Sequence, residues 1–205
     1  MNYQIYLWFY SFLLLPGLAL ADAPTMTRVL GEVPRVEKFM FCNGGTCADV
    51  KTVSLEDFEW QEVLEIFEEQ MPQNAEEERA SIVKAIGLLE SIVGPKTGTA
   101  TDKGGTFGNS AYPGQLDCND EATNTTTYMR LMAQFDLLKY HRIEDTKTRG
   151  GFLIFGRHST AAITETETGK MYAVDSWFYD NGKPAVVLPM DAWLSGWKPK
   201  DSKAH

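Results

Sequence analysis

Three side chains in this sequence have the types and the order of a thiol catalytic centre. Cys118 stands in Gly114-Gln115-Leu116-Asp117-Cys118-Asn119-Asp120-Glu121, which runs directly into a helical pattern from Ala122 to Phe135. A thiol in the first turn of a helix feels the positive end of the helix dipole, which favours thiolate. Asp117, Asp120 and Glu121 oppose this, because nearby negative charge disfavours a further anion. A protonated histidine close by would offset them. His158 lies in Arg157-His158-Ser159-Thr160-Ala161-Ala162-Ile163, and Asp175 in the following segment Tyr172-Ala173-Val174-Asp175-Ser176-Trp177-Phe178; both read as strands. An ionised carboxylate in an apolar strand is costly unless paired. An even-numbered turn between the two strands puts His158 and Asp175 on one face, whereas a bulge at Gly169 changes the parity. One imidazole nitrogen would then meet Asp175 and the other Cys118, an arrangement for nucleophilic catalysis. The competing reading is a buried structural cysteine, the usual state of a free thiol. The other histidines are expected to be peripheral, His205 at a tail and His141 exposed at the start of a weak strand.

These residues need elements to hold them. Asp22 to Val36 is expected to be an extended lead-in, with Pro24 and Pro34 discouraging helix. Phe39 to Cys47 reads as a strand entering an Asn-Gly turn. Ser54 is expected to cap a helix with Asp57 as its capping-box acid, carrying the apolar stripe Leu55, Phe58, Trp60, Val63, Leu64 and Phe67. Asn74 caps a second helix from Ala75 to about Val93, stopped by Gly94-Pro95. Lys96 to Pro113 is a long Gly/Thr/Ser-rich loop, equally a functional loop or a connector by composition. The Cys118 helix should turn Cys118, Ala122, Thr125, Met129 and Met132 towards a sheet. A sequon at Asn124 would lie inside that helix and is discounted. Strands follow over 140–144, 152–165, 171–178 and 185–188, with turns at 167–170 and 180–183 and a short helix over 191–197. Helices followed by an antiparallel meander give the α+β class.

With 205 residues the chain fits a single domain. A net charge of −9 argues against nucleic acid or an anionic membrane surface as partner. Residues 1–21 read as a signal peptide: an apolar run from Ile5 to Leu15, too short for a comfortable membrane span, a Pro16-Gly17 break, and Ala19-Leu20-Ala21 as a small-x-small cleavage site. The n-region lacks Lys and Arg, and a retained anchor is the alternative. The mature domain is expected to be 22–205, exported to the periplasm or secreted. In an oxidising compartment three cysteines leave one over. Cys42 and Cys47 are the natural pair, closing a ring that contributes roughly 2 kcal/mol on the chain-entropy model. A Cys-x4-Cys metal site lacks a second pair of ligands. Cys118 is left unpaired.

The motif Asp-Cys-x-Asp at a helix start, a histidine about 40 residues on and an aspartate 17 further resembles the transglutaminase-like superfamily, closest to bacterial transglutaminase-like cysteine proteinases. The resemblance spans Gly114 to Phe178. It departs from the family pattern at Leu116, where a glycine is frequent, and leaves the helices from Ser54 to Val93 unmatched. It implies a papain-like fold with Cys118 as nucleophile, His158 as base and Asp175 as its orienter. Gln115 is then a candidate oxyanion donor beside the Cys118 N–H, and Asp117, Asp120 and Glu121 are candidate calcium ligands, as some members use calcium. The expected function is a cysteine protease or amidase acting through an acyl-enzyme on a peptide or protein substrate, including those of the cell envelope. Transfer to an amine, as in transglutaminase crosslinking, and a non-catalytic exported binding domain are the alternatives.

Overall fold

A computed structural model describes residues 23–107, 112–150 and 157–200. The signal-peptide reading, the tip of the 96–113 loop and the start of the strand expected from 152 lie outside the described residues. The chain is mixed helix and sheet, as the α+β class requires.

Helix α1 (Ala23–Gly31) replaces the extended lead-in. Pro24 is compatible with it because it occupies the first turn, where a backbone N–H has no intrahelical acceptor. Strands β1 (Phe39–Asn43) and β2 (Asp49–Val53) pair antiparallel, with Cys42 opposite Val50. Helix α2 (Asp57–Gln70) starts two residues later than the Ser54 cap predicts. Glu56 is the N-cap, and the Glu59 carboxylate accepts its N–H at 2.8 Å. The Ser54 carbonyl instead accepts a bond from Lys96 at 2.9 Å. Helix α3 (Ala75–Thr97) is capped by Asn74 as the spacing predicts, its Oδ1 accepting the Glu77 N–H at 3.0 Å. It passes through Pro95 and ends at Gly98, whose left-handed φ of 80° returns its N–H to the Gly94 carbonyl. A proline in the last turn forfeits one hydrogen bond, and burial of Val93, Gly94 and Thr97 holds the turn together.

Helix α4 (Cys118–Gln134) is the centre of the fold. It packs on α3, on β1 and on the four-stranded sheet. Tyr128, Met129, Leu131 and Met132 meet Ile82, Ile86 and Leu89 of α3 and Ala161, Ile163 and Val174 of the sheet. The helix is buried well beyond the expected face, although it carries four threonines and two asparagines. Those polar groups are satisfied locally: Thr123, Thr126 and Thr127 return their hydroxyls to the carbonyls four residues back at 2.7–3.0 Å. Asn124 accepts the Cys42 N–H at 2.8 Å and donates to the Cys42 carbonyl at 2.9 Å, so it is a buried tie to β1.

The sheet is an antiparallel meander in the order β3 (His141–Arg149), β4 (His158–Glu165), β5 (Met171–Asp175), β6 (Val186–Pro189), followed by the short helix α5 (Met190–Leu194). His141 corrects the expectation of an exposed residue. Its side chain is wholly buried, with Nδ1 2.8 Å from Glu78 Oε1 and Nε2 3.1 Å from the Arg79 guanidinium. The same Glu78 carboxylate accepts the backbone N–H groups of Lys139 and Tyr140. The first residue of β3 is thus fastened to α3 by buried hydrogen bonds.

Candidate active site

Each of the three expected residues sits at the end of an element. Cys118 is the first residue of α4, His158 the first of β4 and Asp175 the last of β5. The β4–β5 register pairs Ala161 with Val174, so Thr160 stands opposite Asp175, and His158 lies two residues along on the same face. Glu165 and Lys170 bond across the strand ends and leave residues 166–169, an even number, in the turn. Gly169, at φ 70°, closes this turn without displacing the register. Side chains diagonal across two strands are within reach when one is long. His158 Nε2 lies 2.6 Å from Asp175 Oδ2, with both side chains buried. The other ring nitrogen, Nδ1, is buried and has no hydrogen-bond partner.

The ring is held by aromatic neighbours. Its centroid is 4.5 Å from Trp177, 5.3 Å from Phe178 and 5.5 Å from Trp193. Trp177 and Phe178 also form the apolar cluster around Cys118, so the thiol and the imidazole share two walls. Trp177 is anchored by its indole N–H, which donates to the Thr106 carbonyl at 2.7 Å, and it carries the half-exposed Phe107 ring at 4.6 Å. The loop bearing Thr106 lies against residues 176–179 because Gly104 has no side chain; a Cβ there would come within 2.4 Å of the Phe178 carbonyl oxygen.

Cys118 is a free thiol, 5% exposed. Burial pushes its pKa up to about 12, with the charges of Asp117 and Asp175 adding to the rise; the N–H groups of Ser159 and of Cys118 itself work in the opposite direction. Desolvation therefore outweighs the helix dipole on which the sequence expectation rests. A thiol in this state stays protonated at neutral pH unless a base takes its proton; His158 Nδ1 shares the aromatic walls with it but is hydrogen-bonded to no group.

Gln115 is tied to the preceding loop: its Oε1 accepts the Lys103 N–H at 2.9 Å and its Nε2 donates to the Thr101 carbonyl at 3.1 Å. The acids considered for calcium are likewise occupied. Asp117 Oδ1 accepts the N–H groups of Asn119 and Asp120, and its Oδ2 accepts from Thr46. Asp120 accepts the N–H groups of Gly45, Cys47 and Asp117. Glu121 turns inward and takes the Ser176 hydroxyl at 2.6 Å. Among the described residues no group of three or more His, Cys, Asp or Glu side chains is placed to hold a metal ion.

Two features have no counterpart in the sequence reading. Trp193, fully buried in α5, donates its indole N–H to Asp175 Oδ2 at 2.7 Å, the same oxygen that meets His158. Arg149 stacks over its ring at 4.5 Å and donates to its backbone carbonyl. Behind the thiol lies a group of buried acids, Glu90, Asp102, Asp120 and Glu121. Burial pushes Glu90 up to about 8, Asp102 to about 7 and Asp120 to about 6, and raises Glu121 well above the usual carboxylate range. A Trp in a short terminal helix, or a Glu on an acidic helix, carries no local signal of such a role.

Comparison with protein-family models, with curated proteins and with solved structures returns no match. The disulfide between Cys42 and Cys47 is present and fits an exported protein. Among the described residues no helix is long and apolar enough to cross a membrane.

Proposed function

We propose that this protein is an exported thiol acyl-transfer enzyme, a cysteine protease or amidase of papain-like, transglutaminase-like architecture. The observation that carries the reading is His158: one ring nitrogen is held at 2.6 Å by Asp175, and the other is buried and unpartnered beside the aromatic walls that enclose the free Cys118 thiol. Among the described residues Trp60, Glu90, Tyr128 and Thr164 also carry a buried polar atom without a partner, but of the five only the His158 ring shares its walls, Trp177 and Phe178, with a free thiol.

In this mechanism His158 Nδ1 takes the Cys118 proton as the sulfur attacks the carbonyl carbon of a substrate amide. The S–C bond forms, and the carbonyl electron pair moves onto oxygen, where the Cys118 N–H is a donor. Collapse breaks the C–N bond, and the imidazolium returns the proton to the leaving amine. Water releases the thioester as an acid; an amine in its place yields a new amide. Asp175 keeps the imidazole in the tautomer that leaves Nδ1 free to accept a proton, and stabilises the imidazolium.

The deciding experiment is alkylation of folded protein with iodoacetamide across pH, comparing wild type with His158→Ala. Wild type is expected to react below pH 8 and His158→Ala at least about tenfold more slowly at pH 7, one unit of effective pKa. Equal profiles, both rising only in the alkaline range, would sink the reading.

A further inference from the structure

We propose that the ring closed by Cys42–Cys47 is a positioning element for Cys118, so that the thiol site is assembled only in the disulfide-bonded protein. This rests on the acyl-transfer reading above and adds the redox state on which that site depends.

Four successive residues of the ring, Gly44, Gly45, Thr46 and Cys47, have positive φ, between 51° and 83°. Left-handed backbone suits the two glycines but strains Thr46 and Cys47, so the turn needs an external constraint. The turn directs its backbone N–H groups at the acids flanking Cys118, as anion-binding turns do. Gly45 donates to Asp120 Oδ2 at 2.8 Å and Cys47 to Asp120 Oδ1 at 2.7 Å. Thr46 donates to Asp117 Oδ2 twice, from its N–H at 2.8 Å and its hydroxyl at 3.0 Å. Cys42, at the other end of the ring, is clasped by Asn124 one turn further along α4. The ring therefore grips α4 on both sides of the nucleophile.

This grip does two things. Asp117 and Asp120 form the reciprocal cap of α4, each bonding the other's N–H, so fixing their outer oxygens fixes where the helix begins. The donors also draw charge from Asp117, one of the groups that oppose ionisation of Cys118. Without the disulfide Thr46 and Cys47 are free to leave the left-handed region, and their N–H groups leave the carboxylates. Both cysteines are fully buried, with Val29 of α1 packed on them. The bond is thus a permanent latch in the folded protein.

The test compares the full disulfide-bonded chain with Cys42→Ala/Cys47→Ala, in which Cys118 is the remaining cysteine, by iodoacetamide alkylation from pH 5 to 10. The expected result is a folded double variant whose rate at pH 7 falls about tenfold, with the inflection shifted to higher pH by about one unit. A folded double variant with the wild-type rate and profile overturns the proposal. Asp120→Asn in both backgrounds checks the route: the disulfide effect is expected to shrink in its presence, and full additivity overturns a route through the carboxylates. Should circular dichroism show the double variant unfolded, Thr46→Val with the disulfide intact decides, because it deletes a donor to Asp117 without removing a charge. A slower thiol with its inflection at higher pH is expected, and an unchanged rate and profile refute the link. His158→Ala in the disulfide-bonded protein separates the two proposals: if it leaves the thiol unaffected, the acyl-transfer reading fails whatever the ring does.

Discussion

Trp193 and His158 meet on a single oxygen: Asp175 Oδ2 accepts the indole N–H at 2.7 Å and lies 2.6 Å from His158 Nε2. The carboxylate that orients the imidazole is itself oriented from α5. Trp193→Phe keeps most of the ring packing and deletes the donor. Losing a bond to a charged acceptor costs about 1.5 kcal/mol or more, which predicts roughly a tenfold lower rate of Cys118 alkylation at pH 7. The pH–rate profile of the variant is the check: an unchanged inflection would reduce Trp193 to a packing residue.

Glu90 makes the fold sensitive to alkali. In the folded protein it keeps its proton up to about pH 8, whereas in the unfolded chain it releases it near 4.5. Between those values the unfolded state binds fewer protons, so stability falls as pH rises. Asp102, Asp120 and Glu121 are shifted the same way and add to the slope. Thermal melts are expected to show a higher midpoint at pH 5.5 than at pH 8. Glu90→Gln should flatten that dependence and stabilise the protein at pH 8 by on the order of 1–3 kcal/mol. Parallel curves for wild type and variant would contradict this account.

His141 supplies the control for the catalytic assignment. Its ring is buried between Glu78 and Arg79, and removing it leaves buried polar groups of both without a partner at a cost of about 1–3 kcal/mol. His141→Ala is therefore expected to lower the denaturation midpoint strongly. Alkylation of Cys118 in whatever fraction stays folded should keep the wild-type pH profile. A selective loss of thiol reactivity without loss of stability would move the base from His158 to His141.

Much of the scaffold was legible in the sequence, for reasons that are local. Asn74 capping α3, Asp117 at the head of α4 and the meander after residue 140 follow from short-range patterns that leave little freedom to the backbone. The helix boundaries that moved did so where tertiary contacts outweigh propensity. Pro24 was accommodated by a first turn, Pro95 was carried through a buried last turn, and Glu56 took the cap from Ser54. Asn124 and the threonines of α4 read as polar, yet the helix is buried because its own carbonyls, Cys42 and the Ser176 hydroxyl satisfy them.

By itself the sequence determined the chemical inventory and its order: a cysteine at a helix start, a histidine and an aspartate in successive strand segments, and a pair of cysteines close enough to bridge. These are properties of residue type and spacing. Only the tertiary structure decided what each group experiences. Burial depends on what packs from elsewhere in the chain, so it reversed the expected effect on the Cys118 thiol and turned His141 from a surface residue into a buried hydrogen-bond link between Glu78 and Arg79. It also brought Trp193 to Asp175 and closed the Cys42–Cys47 ring around the acids at the start of α4. No local pattern carries those distances, because each joins residues that approach one another only when the core forms.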